Sequence, residues 1–243
     1  MKQTPDAFLG GKISLYQLED GYRAGMDAAV LVAALNLKAG QRAMEFGCGA
    51  GAALLGAAAL YEDVELTGVE LDPRAAALAQ DNVALNRMEG RVRVSEGDAL
   101  AYRDERELDA VFFNPPYFDD PSALRAPKAG KSPAWMSDAG LAAWIDTGLR
   151  RLRSGGVLTV IQRADRLDDI LVALKGRAGA VNVLPVQAHA DEPAKRVLVQ
   201  ATKTAKGRLQ LRPPLVLHEA GGTGFTAEAD AIFRGEARLE FRR

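Results

Sequence analysis

Leu108-Asp109-Ala110-Val111-Phe112-Phe113-Asn114-Pro115-Pro116-Tyr117 is the stretch on which the reading of this chain turns. Ala110 to Phe113 is short, apolar, β-branched and aromatic, the character of a strand covered on both faces. Asn114 and two prolines end it abruptly. Pro115 and Pro116 have fixed φ and no amide hydrogen, and Pro115 steers Asn114 away from the helical region. The expected result is a stiff corner at the carboxyl end of a central strand, where open α/β sheets place their ligands. The Asn114 amide oxygen and the Pro115 carbonyl are two acceptors held side by side, and Tyr117 offers a flat ring for stacking. Two convergent acceptors suit a planar amino group: accepting both of its N–H groups draws the delocalised lone pair back onto nitrogen. The same tetrapeptide also serves as a plain strand-ending turn, and alone it does not distinguish the two.

Upstream, Arg42-Ala43-Met44-Glu45-Phe46 reads as a strand, Gly47-Cys48-Gly49-Ala50-Gly51 as a glycine turn, and Ala52 to Tyr61 as a helix. The glycines permit a tight turn and close approach of a ligand to backbone. The amides that open the helix can face a polar or anionic group. Glu65-Leu66-Thr67-Gly68-Val69-Glu70-Leu71-Asp72 is a second strand ending in acids, placed to accept hydrogen bonds from ribose hydroxyls. Pro73 opens the next helix, which runs to about Asn86. Arg91 to Ser95 is a third strand, and Asp98, two residues past Glu96, faces either an exocyclic ring amine or a local helix-capping role. Strand, glycine turn, helix, strand, acid, helix, strand, acid describes a doubly wound α/β sheet with a nucleoside pocket. NAD and S-adenosylmethionine both fit that pocket. A hydride transfer needs no pair of acceptors at the Asn114 corner, whereas methyl transfer to an NH₂ does.

Glu45 to Gly51 resembles motif I of the class I S-adenosylmethionine methyltransferases, with Glu45 where the family more often has Asp. Glu70-Leu71-Asp72 looks like their ribose-binding acid, Asp98-Ala99 like their adenine-side pair, and Asn114-Pro115-Pro116-Tyr117 like the motif of amino-group methyltransferases. The layout over most of the chain is similar to the bacterial tRNA(Val) adenine-N6-methyltransferases, which act on the adenosine 3′ of the anticodon. The resemblance implies a Rossmann-like fold, a mostly parallel seven-stranded sheet with helices on both faces, its last two strands a hairpin. It implies S-adenosylmethionine held by Glu45, Gly47, Gly49, Gly51, Glu70, Leu71, Asp98, Ala99 and Asn114, with Arg23 and Asp27 (beside Tyr22) closing the pocket from the N-terminal side. Asn114 and the Pro115 carbonyl would grip N6, in the corner completed by Pro116, while Tyr117, helped by Phe118, stacks on the base. A base in an anticodon loop leaves its stack cheaply.

The rest of the chain is read around that core. Residues 1–40 form a lead-in, with an edge strand or arm over Ile13 to Leu18 and a helix over Ala28 to Leu35 that Asp27 caps; 41–203 form the core and 204–243 an extension, all in one domain. Phe118 to Ser137 is a basic loop directly after the corner, and its Arg125, Lys128 and Lys131 are candidates for phosphate contacts or plain solvated charges. Residues 1–116 carry a net charge of −7 and 117–243 one of +6, although the whole chain stands at −1. That total argues against strong non-specific binding of nucleic acid by the protein as a whole. One cysteine excludes an intrachain disulfide, makes the reducing cytoplasm the simple expectation, and with only two histidines leaves no zinc site or other metal expected. The N-terminus has no signal-peptide h-region and no run is long enough to span a membrane. Cytosine-C5 chemistry would need a cysteine at the target, and Cys48 lies in the glycine turn. Two rival readings keep the chemistry and change the acceptor, to guanine N2 of rRNA or a glutamine amide of a release factor. The latter resemble a longer helical N-terminal domain ahead of such a core. A third rival is a non-catalytic partner subunit that retains the fold.

Overall fold

The computed structural model describes residues 4–18, 25–103, 106–115 and 139–241. Among the described residues eleven strands and six α-helices follow in order: β1 (Asp6–Phe8), β2 (Ile13–Leu15), α1 (Met26–Ala34), β3 (Arg42–Phe46), α2 (Ala52–Leu60), β4 (Glu65–Glu70), α3 (Pro73–Leu85), β5 (Val92–Glu96) and β6 (Leu108–Phe113). Then come α4 (Ala139–Arg151), β7 (Leu152–Arg163), α5 (Leu167–Leu174), β8 (Ala178–Gln187), β9 (Arg196–Lys203), β10 (Gln210–Leu211), β11 (Leu215–Val216) and α6 (Ala227–Phe233). β1 and β2 form a separate antiparallel hairpin. The main sheet runs β10-β8-β9-β7-β6-β3-β4-β5, with β11 also on β8.

The expected seven-stranded core is there, and β8 and β9 form its antiparallel hairpin. β9 is also antiparallel to β7, while β3 to β7 are mutually parallel. The tail extends the sheet beyond the seven strands expected, because β10 and β11 add to β8 in parallel. Their two-residue length explains why neither stands out as a periodic run in the sequence.

Each element follows from its residues. Ala110 to Phe113 are buried and lie between β3 and β7. In α3 the side chain of Asp72 accepts from the Arg74 amide and Pro73 takes the first turn, where its missing N–H is no loss. α1 is buried from Ala28 to Ala34 and packs between the sheet, α2 and α6, as an almost uniformly apolar helix must. It begins at Met26 with Gly25 at its N-cap and no side-chain cap. Asp27 therefore lies inside the first turn instead of capping, and its Oδ2 faces Arg196 Nε at 3.2 Å.

α1, α2, α3 and α6 cover one face of the sheet, and α4 and α5 cover the other. Each fully buried Leu, Ile or Phe in these layers contributes roughly 1.5–3 kcal/mol. Leu215, Leu217, Ala229, Ile232 and Leu239 from the tail join the first face, so the tail is part of the core. Among the described residues no helix is long and apolar enough to cross a membrane.

Candidate active site

The chain leaves β3 for β4 and β5 on one side, then returns to place β6 and β7 on the other. The strand order reverses between β3 and β6, and their carboxyl ends flank the crevice where doubly wound sheets bind ligands. Phe46 and Phe113, the last residues of these strands, are in register. Adjacent strands run about 4.8 Å apart, so the glycine turn and the Asn114 corner leave the sheet side by side. Below them the two rings stack at 5.8 Å and 7°, and the Trp144 indole meets both edge-on at 6.1 and 5.4 Å. This aromatic floor is buried and holds both strand ends at fixed height.

The floor also explains Gly47. A Cβ there would lie 2.8 Å from Trp144 Cη2, and φ is +63°, so both space and conformation demand glycine. A Cβ on Gly49 would meet nothing within 4 Å, which leaves open room over the middle of the turn. The turn is fastened from the sheet side. The amides of Gly47 and Cys48 donate to Val69 O at 2.8 and 3.2 Å. Gly49 N donates to Glu70 Oε2 and Asp72 N to Glu70 Oε1, both at 2.8 Å. Each carboxylate oxygen thus spends one lone pair on backbone and keeps another for a hydroxyl. Glu70 is half-buried at the end of β4, in register with Glu96 of β5.

Glu45 points toward the start of α2, where the Leu54 amide donates to its carboxyl. Its Oε2 is buried without a hydrogen-bond partner among the described residues. Burial, reinforced by Glu70, pushes its pKa well up. Burial and then Glu45 and Glu70 likewise push the Cys48 thiol up. A thiol held protonated is a poor nucleophile, in keeping with the reading of Cys48 as a small filler.

Asp98 follows β5 beyond Gly97, whose amide donates to Glu70 O at 2.8 Å. Its Oδ1 accepts from Leu100 N at 2.8 Å and closes a local turn, not a helix, since no helix follows before β6. Its second carboxylate oxygen remains a candidate for an amine. Leu71 is half-buried and Ala99 buried, each beside its acid. Asn114 is half-buried and Pro115 buried. Glu45, Gly47, Gly49, Gly51, Glu70, Asp98 and Asn114 therefore all cluster at the carboxyl ends of β3, β4, β5 and β6. Asp27 lies on the same edge of the sheet, paired with Arg196 at the head of β9, opposite Arg163 at the carboxyl end of β7. Arg23, Pro116, Tyr117, Phe118, Arg125, Lys128 and Lys131 lie outside the described residues. A turn with open room above Gly49 and a carboxylate with lone pairs to spare fit the nucleoside cofactor implied by the resemblance. Among the described residues no group of three or more His, Cys, Asp or Glu could hold a metal ion.

Two side chains of the site carry no motif in the sequence. Trp144 lies 30 residues past Asn114, on α4, and only the fold brings it under Gly47. Asn82 reads as one polar residue of an amphipathic helix, yet it is fully buried and donates to Ala50 O of the glycine turn at 2.9 Å.

The family model described as methyltransferase small domain matches residues 23–185, more than half of the chain. A tRNA1(Val) (adenine(37)-N6)-methyltransferase of Bacteroides thetaiotaomicron is 28% identical over 188 residues, covering 76% of this chain and 78% of that protein. Among solved structures, a predicted O-methyltransferase of Agrobacterium tumefaciens aligns with a TM-score of 0.73 at 28% identity, covering 88% of this chain and 98% of that one. A SAM-dependent O-methyltransferase of Thermotoga maritima aligns with a TM-score of 0.56 at 18% identity, over 77% of this chain and 68% of that one, a likeness of fold alone.

Proposed function

The chain belongs to the methyltransferase small-domain family, and from that membership we propose that it methylates N6 of an adenine in tRNA, the adenosine 3′ of the anticodon in tRNA(Val). It is an S-adenosylmethionine-dependent enzyme, and the bound cofactor supplies the electrophilic methyl group. The observation that carries the reading is the register of Phe46 with Phe113, which sets the Asn114-Pro115 corner against the glycine turn. The substrate follows the curated relative, whose name specifies adenine 37 of tRNA1(Val).

In this reading Gly47, Gly49 and Gly51 bring backbone close to the cofactor, and Glu70, seconded by Leu71, accepts from its ribose hydroxyls. Asp98 and Ala99 border the adenine end. Glu45 stabilises the turn from below, where its carboxyl receives the Leu54 amide. Asn114 Oδ1 and the Pro115 carbonyl hold the two hydrogens of N6, restoring lone-pair density to the nitrogen and aiming it at the methyl carbon. Transfer would break the S–CH₃ bond of the cofactor as the N–C bond forms, its electron pair returning to sulfur, and one N6 hydrogen, made acidic, would leave as a proton to solvent. The contribution is positional and electrostatic. Pro116 stiffens the corner, Tyr117 and Phe118 stack on the extruded base, and Arg125, Lys128 and Lys131 meet phosphate. Arg23 and Asp27 border the cofactor from the N-terminal side.

Asn114→Ala tests the assignment. S-adenosylhomocysteine binding stays within about twofold, while methyl transfer falls roughly 10²- to 10³-fold, the scale of losing one oriented polar group. Retention of most of the transfer activity would remove Asn114 from the mechanism.

A further inference from the structure

The N-terminal hairpin is held to the body by Asn82 of α3 and by Asn86 at its C-cap. Asn86 accepts from Ser14 N at 2.9 Å and donates to Ser14 O at 2.7 Å. Asn82 accepts from Tyr16 N at 2.8 Å and donates to Tyr16 O at 2.9 Å. The geometry has a simple origin. Ser14 and Tyr16 alternate on the edge of β2 turned away from β1, and two residues of strand advance about 6.7 Å. Four residues of helix advance about 6 Å. Two carboxamides one turn apart at the end of α3 therefore match the strand repeat and stand in for a third strand.

The two asparagines differ in where the second N–H goes: that of Asn86 returns to Asn82 O of its own helix at 2.8 Å. Asn82 spends its second N–H on Ala50 O, in the glycine turn, at 2.9 Å. Its exposure is 0%, so no water competes for these bonds. The amide orientation is fixed by the network: its oxygen must face the Tyr16 N–H, which leaves both donors for the two carbonyls. The turn is thereby held from two sides, by Val69 and Glu70 on the sheet and by Asn82 on the helix.

We propose that Asn82 is a positioning residue of the cofactor site, a single buried carboxamide that couples docking of the N-terminal hairpin to the shape of the glycine turn. The proposal rests on the assignment of that turn to S-adenosylmethionine. By linkage, cofactor binding that orders the turn must tighten the Asn82 contact, and loosening that contact must weaken cofactor binding.

Asn82→Asp and Asn86→Asp separate coupling from simple stability. Both keep the acceptor for the hairpin amide and remove the donors, so both lower the melting temperature, but Asn86→Asp acts at Ser14, away from the Tyr16–Asn82–Ala50 bridge, whereas Asn82→Asp breaks the bridge itself. Only Asn82→Asp sets a carboxyl against Ala50 O. Calorimetry should show S-adenosylhomocysteine binding weakened roughly tenfold in Asn82→Asp and within twofold of wild type in Asn86→Asp. In steady-state assays of Asn82→Asp the loss falls on KM for S-adenosylmethionine rather than on kcat. Equal affinities in the two variants, with wild type binding normally, would overturn the coupling and leave the cofactor site standing. A wild-type protein that binds no S-adenosylhomocysteine would overturn both. Should Asn82→Asp not fold, hydrogen exchange on the wild type decides: saturating S-adenosylhomocysteine slows exchange of the Tyr16 amide, and an unchanged rate overturns the coupling.

Discussion

Glu45 takes an ionisable carboxyl to a place that water does not reach, with 4% of its surface exposed. The nearby Glu70 carboxyl adds to the effect of burial. Its raised pKa means that the folded protein holds a proton there which the unfolded chain gives up. The native state then binds more protons than the unfolded state, so stability falls as pH rises. The fall begins near 4.5, the ordinary value for the group, and ends at the raised native value. Glu45→Gln keeps an acceptor for the Leu54 amide and removes the titration. In thermal melts of cofactor-free protein, wild type loses stability relative to the variant as pH rises above the ordinary carboxylate value of 4.5. Each kcal/mol of that difference corresponds to about 2–4 °C for a chain of this size. Parallel pH profiles would mean that Glu45 remains ionised in the fold. At this scale the sequence exposed the residues that carry a motif, Gly47, Glu70 and Asn114, because local spacing and turn chemistry reveal them. It hid Trp144 and Asn82, because an indole under a glycine and an amide across to another segment are facts of packing.

Asp109 shows how an element is pinned at the end opposite the site. Its Oδ2 accepts from the Arg42 amide of β3 at 2.9 Å, and its Oδ1 from Arg153 Nε of β7 at 2.7 Å. Burial pushes its pKa up, but the Arg42 amide and the Arg153 guanidinium outweigh burial and leave it lowered. The pairing of β6 with β7 slips here: Leu108 faces Leu152, yet Ala110 faces Val157. The intervening Ser154, Gly155 and Gly156 are the irregular part of β7. In the sequence Gly155 and Gly156 look like an approach to a strand that opens at Val157, not part of it. Asp109→Ala removes both bonds and should cost about 1–3 kcal/mol in chemical denaturation, with kcat unchanged because the site is at the far end of the strands. A variant that kept its stability but lost methyl transfer would refute this division of labour. The main strands and helices were legible from apolar runs, Pro73 and the glycine turn. The cap assigned to Asp27 was misplaced because Asp27 is drawn to Arg196, 169 residues away, a pairing no local pattern contains.

For the whole molecule, the parallel strands gather the candidate residues at one end of one sheet, and the tail returns to seal the opposite face of that sheet's core. Leu239 N donates to Ala33 O at 2.8 Å and α6 packs on α1, so the residues read as lead-in and extension meet as one body. That closure was invisible in the sequence, since β10 and β11 are too short to announce themselves. Residues 1–116 carry a net charge of −7 and 117–243 one of +6, so the charge divides between the two halves of one folded body. The central claim is methyl transfer to adenine N6 in tRNA, and one assay addresses it directly. Purified protein is given labelled S-adenosylmethionine and total bacterial tRNA, and the digested nucleosides are resolved by mass. The account predicts N6-methyladenosine, confined to one tRNA species. Label found only in guanine of rRNA or in a release-factor glutamine, or no label despite cofactor binding, would contradict it.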